Sequence, residues 1–248
     1  MNEYAIGIIP ARFKSSRFPG KLLASLGGKP VLEHTLLKAL SSKSLKEVFV
    51  ATDDAKIFDF VRSVGGKALM TSLDIKTGTD RVIEAFEKYP ELQKASYVIN
   101  IQGDHPFISP DTITQVVQKL KDDKDAQVAT AAIPLRDLEK AKSPHVVKCV
   151  MDVHGNALYF SRAMIPYGKN PNIHQHIGIY GFPRQFLDVI KKLPYTDLDQ
   201  TEDLEQLRFL AHGYKIKVAI VEDTAQGVDT PEDLKACETI LCQLNTSL

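Results

Sequence analysis

Cysteine is scarce in this chain: Cys149, Cys237 and Cys242 form neither a C-x-x-C pair nor an even set. That argues against a disulfide framework and a zinc ribbon, and leaves reduced thiols as the expectation. Net charge is missing as well. The 31 Lys and Arg residues are balanced by 31 Asp and Glu, with a pI near 7.1. Bulk electrostatics therefore favour neither nucleic acid nor an acidic membrane surface as a partner. Long apolar runs are absent too. No stretch approaches the ~20 residues of a membrane span. The opening "MNEYAIG" has no basic n-region and too short an apolar run for a signal peptide. A cytoplasmic protein is expected. Two glycine signatures are also lacking. No G-x-G-x-x-G occurs, which speaks against a nicotinamide enzyme. A P-loop fails on spacing, because Ser15 stands where its first glycine belongs and Leu22 where its hydroxyl belongs; "LGGKP" fails likewise. Internal repeats, low-complexity tracts and an inter-domain linker are all missing.

What is present is ordinary globular composition, 44% hydrophobic and 25% charged over 248 residues, enough for a sizeable core. Apolar runs rich in Val and Ile predict strands at 4–10, 47–52, 96–102, 126–133, 146–152, 176–182 and 216–222. Those at 4–10 and 96–102 are apolar on both faces, as central strands of a parallel sheet should be. Helical patterns fill 31–41, 54–64, 79–89 and 110–121. The alternation predicts a doubly wound, mostly parallel α/β sheet flanked by helices, with a smaller antiparallel part. We read one domain over 1–248. Its nucleotide-type core spans about 1–125 and 205–248, and an antiparallel insertion on it spans about 126–204. Ser109 with Pro110, and Thr230 with Pro231 and Asp233, are legible helix starts. "PYGKNPN" at 166–172 is the most loop-like segment.

One loop asks for a ligand. In "IIPARFKSSRFPGK" (8–21) an apolar run stops at Pro10, and Arg12, Lys14, Arg17 and Lys21 follow with no carboxylate among them. Open α/β sheets bind ligands at the carboxyl ends of their strands, and Arg12 and Lys21 suit phosphate oxygens. Gly20 would let the backbone approach a ligand. A solvated basic loop is the alternative. In "INIQGDHPFI", Asp104 follows a buried strand, where a carboxylate is expensive unless it meets a cation or metal. A turn aspartate is the alternative. Asp229 in "GVDTPEDL" also follows a strand, though a helix-entry role would explain it. "KTGTDRV" (76–82) is a Gly-centred turn in which Thr79 and backbone amides either read a nucleotide edge or simply cap a helix. His174 and His176 alternate on one strand without a third metal ligand nearby. Glu205 lies off the apolar stripe of its helix, so packing does not require it and a solvating role is the default.

Taken in order, "IIPARFKSSRFPGK", "TGTDR", "NIQGDHPFI", "ALYFSR", "HIGIYGF", "EDLEQLRFL" and "GVDTPEDL" resemble one family over essentially the whole chain. That family is the 3-deoxy-manno-octulosonate (KDO) cytidylyltransferases. The resemblance implies a nucleotide-diphospho-sugar transferase-like fold and a homodimer. It also implies an Mg²⁺-dependent reaction joining CTP to a 3-deoxy sugar acid, giving pyrophosphate and a CMP-sugar for lipopolysaccharide assembly. By the same resemblance Arg12 and Lys21 hold CTP phosphates, with Ala11 near the cytosine and Gly78, Thr79 and Asp80 enclosing the nucleotide. Asp104 and Asp229 match Mg²⁺ ligands, Asp104 with Arg12 and Lys21 forming the catalytic set. Gln102, Arg162, His176, Tyr180 and Glu205 match the sugar-acid pocket, Gln102 also bordering the nucleotide; Arg162 and His176 are expected to supply its positive charge. His105 departs from the family pattern, which usually has Glu or sometimes Gln there. That departure leaves an 8-amino-KDO or other acid-sugar cytidylyltransferase as an alternative. A catalytically silent nucleotide-binding protein is the alternative from another class.

Overall fold

Strand β1 (Ala5–Ala11) is buried along nearly its whole length, and its side chains divide between two cores: Ala5, Ile9 and Ala11 into one, Ile6 and Ile8 into the other. A strand apolar on both faces needs a helix layer on each side, and that requirement organises the chain. The computed structural model describes residues 3–15, 17–168, 171–224 and 226–246. Lys169 and Asn170 of the expected 166–172 loop, and Ser16 of the basic loop, lie outside the described residues.

After β1 come the short β2 (Ser25–Leu26) and β3 (Lys29–Pro30), then α1 (Val31–Leu40), β4 (Leu45–Thr52), α2 (Ala55–Ser63), β5 (Lys67–Met70), α3 (Gly78–Lys88) and β6 (Tyr97–Asn100). The second half contains α4 (Pro110–Asp122), β7 (Val128–Leu135), α5 (Leu138–Lys142), β8 (Lys148–Met151), β9 (Ala157–Ser161) and β10 (Ile173–Pro183). It closes with α6 (Arg184–Lys192), α7 (Asp197–Glu202), α8 (Glu205–Ala211), β11 (Ile216–Ile220) and α9 (Pro231–Thr246). The main sheet runs β11-β7-β10-β6-β1-β4-β5, with the β8–β9 pair attached to β10. Neighbours β1–β4, β1–β6, β4–β5 and β7–β11 are parallel, whereas β10 runs against both β6 and β7. Helices α1, α2 and α4 cover one face, and α3, α6 and α8 the other. The sheet is thus doubly wound and mostly parallel, as the strand–helix alternation indicates. Among the described residues no helix is long and apolar enough to cross a membrane.

Residues 126–204 contribute to this same sheet, since β7 and β10 lie between β11 and β6 and the β8–β9 pair extends from β10. Strands β2, β3, β5 and β9 and helices α5, α6 and α7 fall outside the periodic signals. β5 has four residues, too few to show a period. β9 pairs only with β8 and leaves Leu158 exposed, so it carries no two-faced apolar run. Helix α6 begins directly at the end of β10 without a capping side chain, so no start signal marks it. The legible starts are present. Ser109 accepts from the Asp111 amide at 3.2 Å. Thr230 and Asp233 exchange bonds, 2.9 Å from the Thr230 amide and 3.2 Å from the Asp233 amide.

One lysine belongs to the architecture. Lys148 is fully buried, and its ammonium donates to the carbonyls of Ser143 (2.9 Å), Val146 and Arg162. Burial pushes its pKa down. Lys148→Met would strip three carbonyls of a charged donor, and a loss of about 2–4 kcal/mol is expected. Urea denaturation reads this as a lower midpoint at unchanged slope. An unchanged midpoint would show that these bonds contribute nothing net.

Candidate functional site

The parallel strands β1 and β6 end side by side, and the turns that follow them form the floor of a cleft of about 240 Å³. From β1 come Pro10, Ala11 and Arg12; from the turn after β6 come Gln102 and Asp104. Lys21 enters from a one-turn helix at Lys21–Leu23, and Asp229 from the approach to α9. Three segments far apart in sequence, 10–21, 102–104 and 229, therefore converge on one cleft. Gly78 opens α3 against β1, where a Cβ would stand 3.3 Å from the Pro10 ring, so the close approach favours glycine.

The electrostatics centre on Lys21. Its ammonium donates to Asp104 Oδ2 and, at 2.9 Å, to Asp229 Oδ1. Burial works against the charge, but attraction from Asp104 and bonds to both carboxylates outweigh it and hold the lysine above its ordinary pKa. Burial likewise opposes ionisation of Asp229, and the bond and charge of Lys21, with Arg17 behind them, hold its carboxyl below the ordinary value. Arg17 meets Asp229 at 3.0 Å. The basic loop is thus partly neutralised by acids that sequence distance hides: Lys21 and Arg17 are paired, whereas Arg12 is exposed with no ion pair among the described residues. The helix-entry role considered for Asp229 belongs instead to Thr230 and Asp233. That leaves the Asp229 carboxylate to the cleft. Its backbone is fixed by Asp233 Oδ2, which accepts from the Asp229 amide at 3.0 Å. The neighbouring Val228 amide bonds the Asp104 carbonyl at 2.9 Å, clamping the two acidic segments together.

Several expected residues sit elsewhere. Gly20 has φ of 73° and donates its amide to Phe13 at 3.0 Å, so its freedom serves the turn and not a ligand. Thr79 is fully buried and accepts from Asn100 at 3.1 Å, facing the core. The cap of α3 is Thr77, which accepts from the Asp80 amide at 3.0 Å; Asp80 itself does not line the cleft. Arg81, missed in the sequence, does line it. It is 3% exposed and held by Asp53 at 3.0 Å. An arginine on the buried side of an amphipathic helix is the signal that could have drawn notice.

A second cavity of about 620 Å³ adjoins the cleft, sharing Arg17 and Asp229 with it. His105, Lys140, His145, His176, Tyr180 and Gln206 are on its wall. His176 Nε2 lies 2.9 Å from the Thr130 hydroxyl, and its ring contacts Phe160 and Tyr180. Burial, with the nearby His105, pushes its pKa down to about 3. The expectation that His176 brings positive charge is therefore corrected: the ring is neutral at ordinary pH. Arg162 is not on this wall either. Its guanidinium is taken by the carbonyls of Glu202 at 2.8 Å, Pro144 at 3.0 Å and Asp203 at 3.1 Å. Glu205 is half-buried beside Thr79, and burial raises its pKa, so the default of an exposed solvating acid is overturned. Lys140, Gln206 and His145 were not singled out in the sequence, and nothing in their spacing marks them.

Asp104 and Asp229 present hard carboxylate oxygens around a single cation position that Lys21 shares. Mg²⁺ takes one or two carboxylates plus substrate phosphates, so this donor set fits it. Among the described residues no three His, Cys, Asp or Glu side chains gather as a closed metal cage.

A doubly wound α/β sheet with a basic cleft at its strand ends defines a nucleotide-binding class of fold. The chain belongs to the cytidylyltransferase family, whose model matches residues 6–216. It is 50% identical over 254 aligned residues to a 3-deoxy-manno-octulosonate cytidylyltransferase of Protochlamydia amoebophila, covering 100% of this chain and 98% of that one. An 8-amino-3,8-dideoxy-manno-octulosonate cytidylyltransferase of Shewanella halifaxensis is 44% identical, covering 94% of this chain and 97% of that one. A solved CMP:2-keto-3-deoxy-manno-octonic acid synthetase complexed with CTP superposes with a TM-score of 0.91 at 38% identity. It covers 97% of this chain and 99% of that one.

Proposed function

We propose that this protein transfers CMP from CTP to the anomeric hydroxyl of 3-deoxy-D-manno-octulosonate, releasing pyrophosphate. The observation that carries the reading is the convergence of Arg12, Lys21, Asp104 and Asp229 on a cleft continuous with a second polar cavity. Two adjoining chambers suit two substrates. In the reaction the anomeric oxygen forms a bond to the α-phosphorus, and the bond from that phosphorus to the pyrophosphate oxygen breaks. Negative charge grows on the leaving pyrophosphate. Fixed cations aimed at it lower the barrier, a role that suits Lys21 and the unpaired Arg12. Mg²⁺ held by Asp104 and Asp229 would add charge neutralisation on the phosphates. The second cavity takes the acid sugar, with Tyr180 on its wall and Gln102 at the junction with the cleft, where a Cβ on Gly178 would come 3.5 Å from Gln102 Cγ. A homodimer in the cytoplasm belongs to the same reading; Val153 and Leu158, 95% and 62% exposed, supply apolar surface near the β8–β9 pair for such a contact.

Pyrophosphate release from CTP, Mg²⁺ and the sugar acid tests the proposal directly. Release with KDO is the expected result. Silence with every acid sugar, despite CTP binding, would defeat it and favour a catalytically silent nucleotide-binding role. An 8-amino sugar is the second reading. It is favoured by the Shewanella relative and by the place of His105 on the sugar cavity, packed where a Cβ on Gly227 would come within 3.0 Å of its ring. A kcat/KM at least tenfold higher for the amino sugar would select it.

A further inference from the structure

Between the end of β11 at Ile220 and Asp229 the chain forms neither helix nor strand among the described residues. A carboxylate that shares a cation with one on another loop must nevertheless be held to within about 0.5 Å. Asp223 supplies a fixed point on this segment. Its Oδ2 accepts from the Ser109 amide at 2.9 Å and from the Thr112 hydroxyl at 2.6 Å, and its Oδ1 accepts from the Thr224 amide at 2.7 Å. Thr112 is fully buried in α4, so the anchor is rigid. The carboxylate also stands at the N-terminal end of α4, where the helix dipole favours negative charge.

Helix α4 already has a local cap, since Ser109 Oγ accepts from the Asp111 amide at 3.2 Å. What Asp223 adds is a link between the turn after β6, which carries Asp104, and the segment that leads to Asp229. Further along, the two lie against each other. The Val228 amide bonds the Asp104 carbonyl at 2.9 Å, and a Cβ on Gly227 would come within 3.0 Å of the His105 ring. Val228 is fully buried in the same small core as Phe107. The segment is thus fastened at both ends to the turn that carries the other acid, and Lys21 bridges the two carboxylates that result. Resting on the transferase reading above and on the fit of Mg²⁺ to this donor pair, we infer that Asp223 is a positioning residue. Its bonds to Ser109 and Thr112 set the place of Asp229 relative to Asp104, and through it the affinity of the cation position. Asp223 lines neither cavity, so it acts only through the segment it holds.

Two readouts on the full chain test this, one of them without turnover. In a Lys21→Ala background, which vacates the cation position, Mn²⁺ alone is titrated and the free ion followed by electron paramagnetic resonance. Adding Asp223→Ala should weaken Mn²⁺ binding by about 10-fold, the usual effect of losing a group that orients metal ligands. Asp223→Asn keeps an oxygen for both bridging bonds and should stay within about threefold. With Lys21 intact, Asp223→Ala should raise the Mg²⁺ concentration for half-maximal pyrophosphate release by about 10-fold. Saturating Mg²⁺ should restore its kcat to within about threefold, a rescue that loss of folding would not show. Thr112→Val removes one donor from the other side of the contact and should shift both readouts the same way, by about threefold. Unchanged Mn²⁺ affinity and Mg²⁺ requirement in Asp223→Ala, with only a lower Tm, would reduce Asp223 to a cap of α4 and overturn the inference. An Asn variant as poor as Ala would overturn it too, because charge and not the bridge would then be at work. Absence of Mn²⁺ binding in Lys21→Ala itself would remove the metal from Asp104 and Asp229, and the inference with it. Failure of the wild type to release pyrophosphate with any acid sugar is a different result: it defeats the reaction and leaves the Mn²⁺ titration to decide the role of Asp223.

Discussion

Lys21→Ala is expected to lower kcat by about 10²–10³-fold, the cost of removing one preorganised charge from a developing oxyanion. Lys21 is the only side chain described that bonds both Asp104 and Asp229, and it reaches the cleft that Arg12 also lines. The same substitution should matter far less to folding. Both carboxylates lie partly in solvent, at 24% and 48% side-chain exposure, so their unrelieved repulsion is screened. A fall in Tm of no more than about 4 °C is expected. Magnesium provides a reading independent of turnover. Removing the ammonium vacates the cation position between two acids, so Mg²⁺ without nucleotide should raise the Tm of Lys21→Ala more than that of the wild type. Equal shifts would show that the two carboxylates do not share a metal, and a kcat within tenfold of wild type would remove Lys21 from the catalytic set.

The second large effect is an acid sensitivity located at His176. Its pKa falls from 6.5 to about 3 on folding. The unfolded chain therefore binds a proton at this residue below pH 6.5 that the folded chain refuses until about pH 3. Stability from this group is fully present above the unfolded value and is lost as pH falls through that window, at about 1.4 kcal/mol per pH unit. The groups facing the ring are the Thr130 hydroxyl, Phe160, Tyr180 and His105, and no carboxylate among the described residues pairs with it. Between about pH 7 and about pH 4.5 the wild type should therefore lose about 2–3 kcal/mol more than His176→Gln, which carries no titrating ring. Urea denaturation at the two pH values measures the difference. Identical losses would mean that His176 is protonated in the fold, and would return it to the candidates for binding the sugar carboxylate.

The legible part of the fold was the part with strong periodicity. β1 and β6 are apolar on both faces because helices cover both, and the caps at Ser109 and Thr230 are local chemistry a short segment can announce. β5, β9 and α6 escaped because each lacks a local signal: β5 has only four residues, β9 is ordered by pairing with β8 and leaves Leu158 exposed, and α6 starts without a capping side chain. For the site, the cationic loop and Asp104 stood out by being costly where they were. Gln206 did not, since a glutamine on an amphipathic helix is ordinary until it is seen on a cavity wall in three dimensions.

By itself, then, the order of residues determined the doubly wound class, the basic loop after the first strand and the acid in the turn after β6. Those follow from side-chain chemistry and spacing within a few residues. Only the tertiary structure decided which charges are already neutralised, that His176 is neutral, that Arg162 holds carbonyls away from the cavity, and that Lys140 and Gln206 line it. Desolvation and charge pairing depend on what is brought near from distant segments, and spacing along the chain carries no measure of that distance.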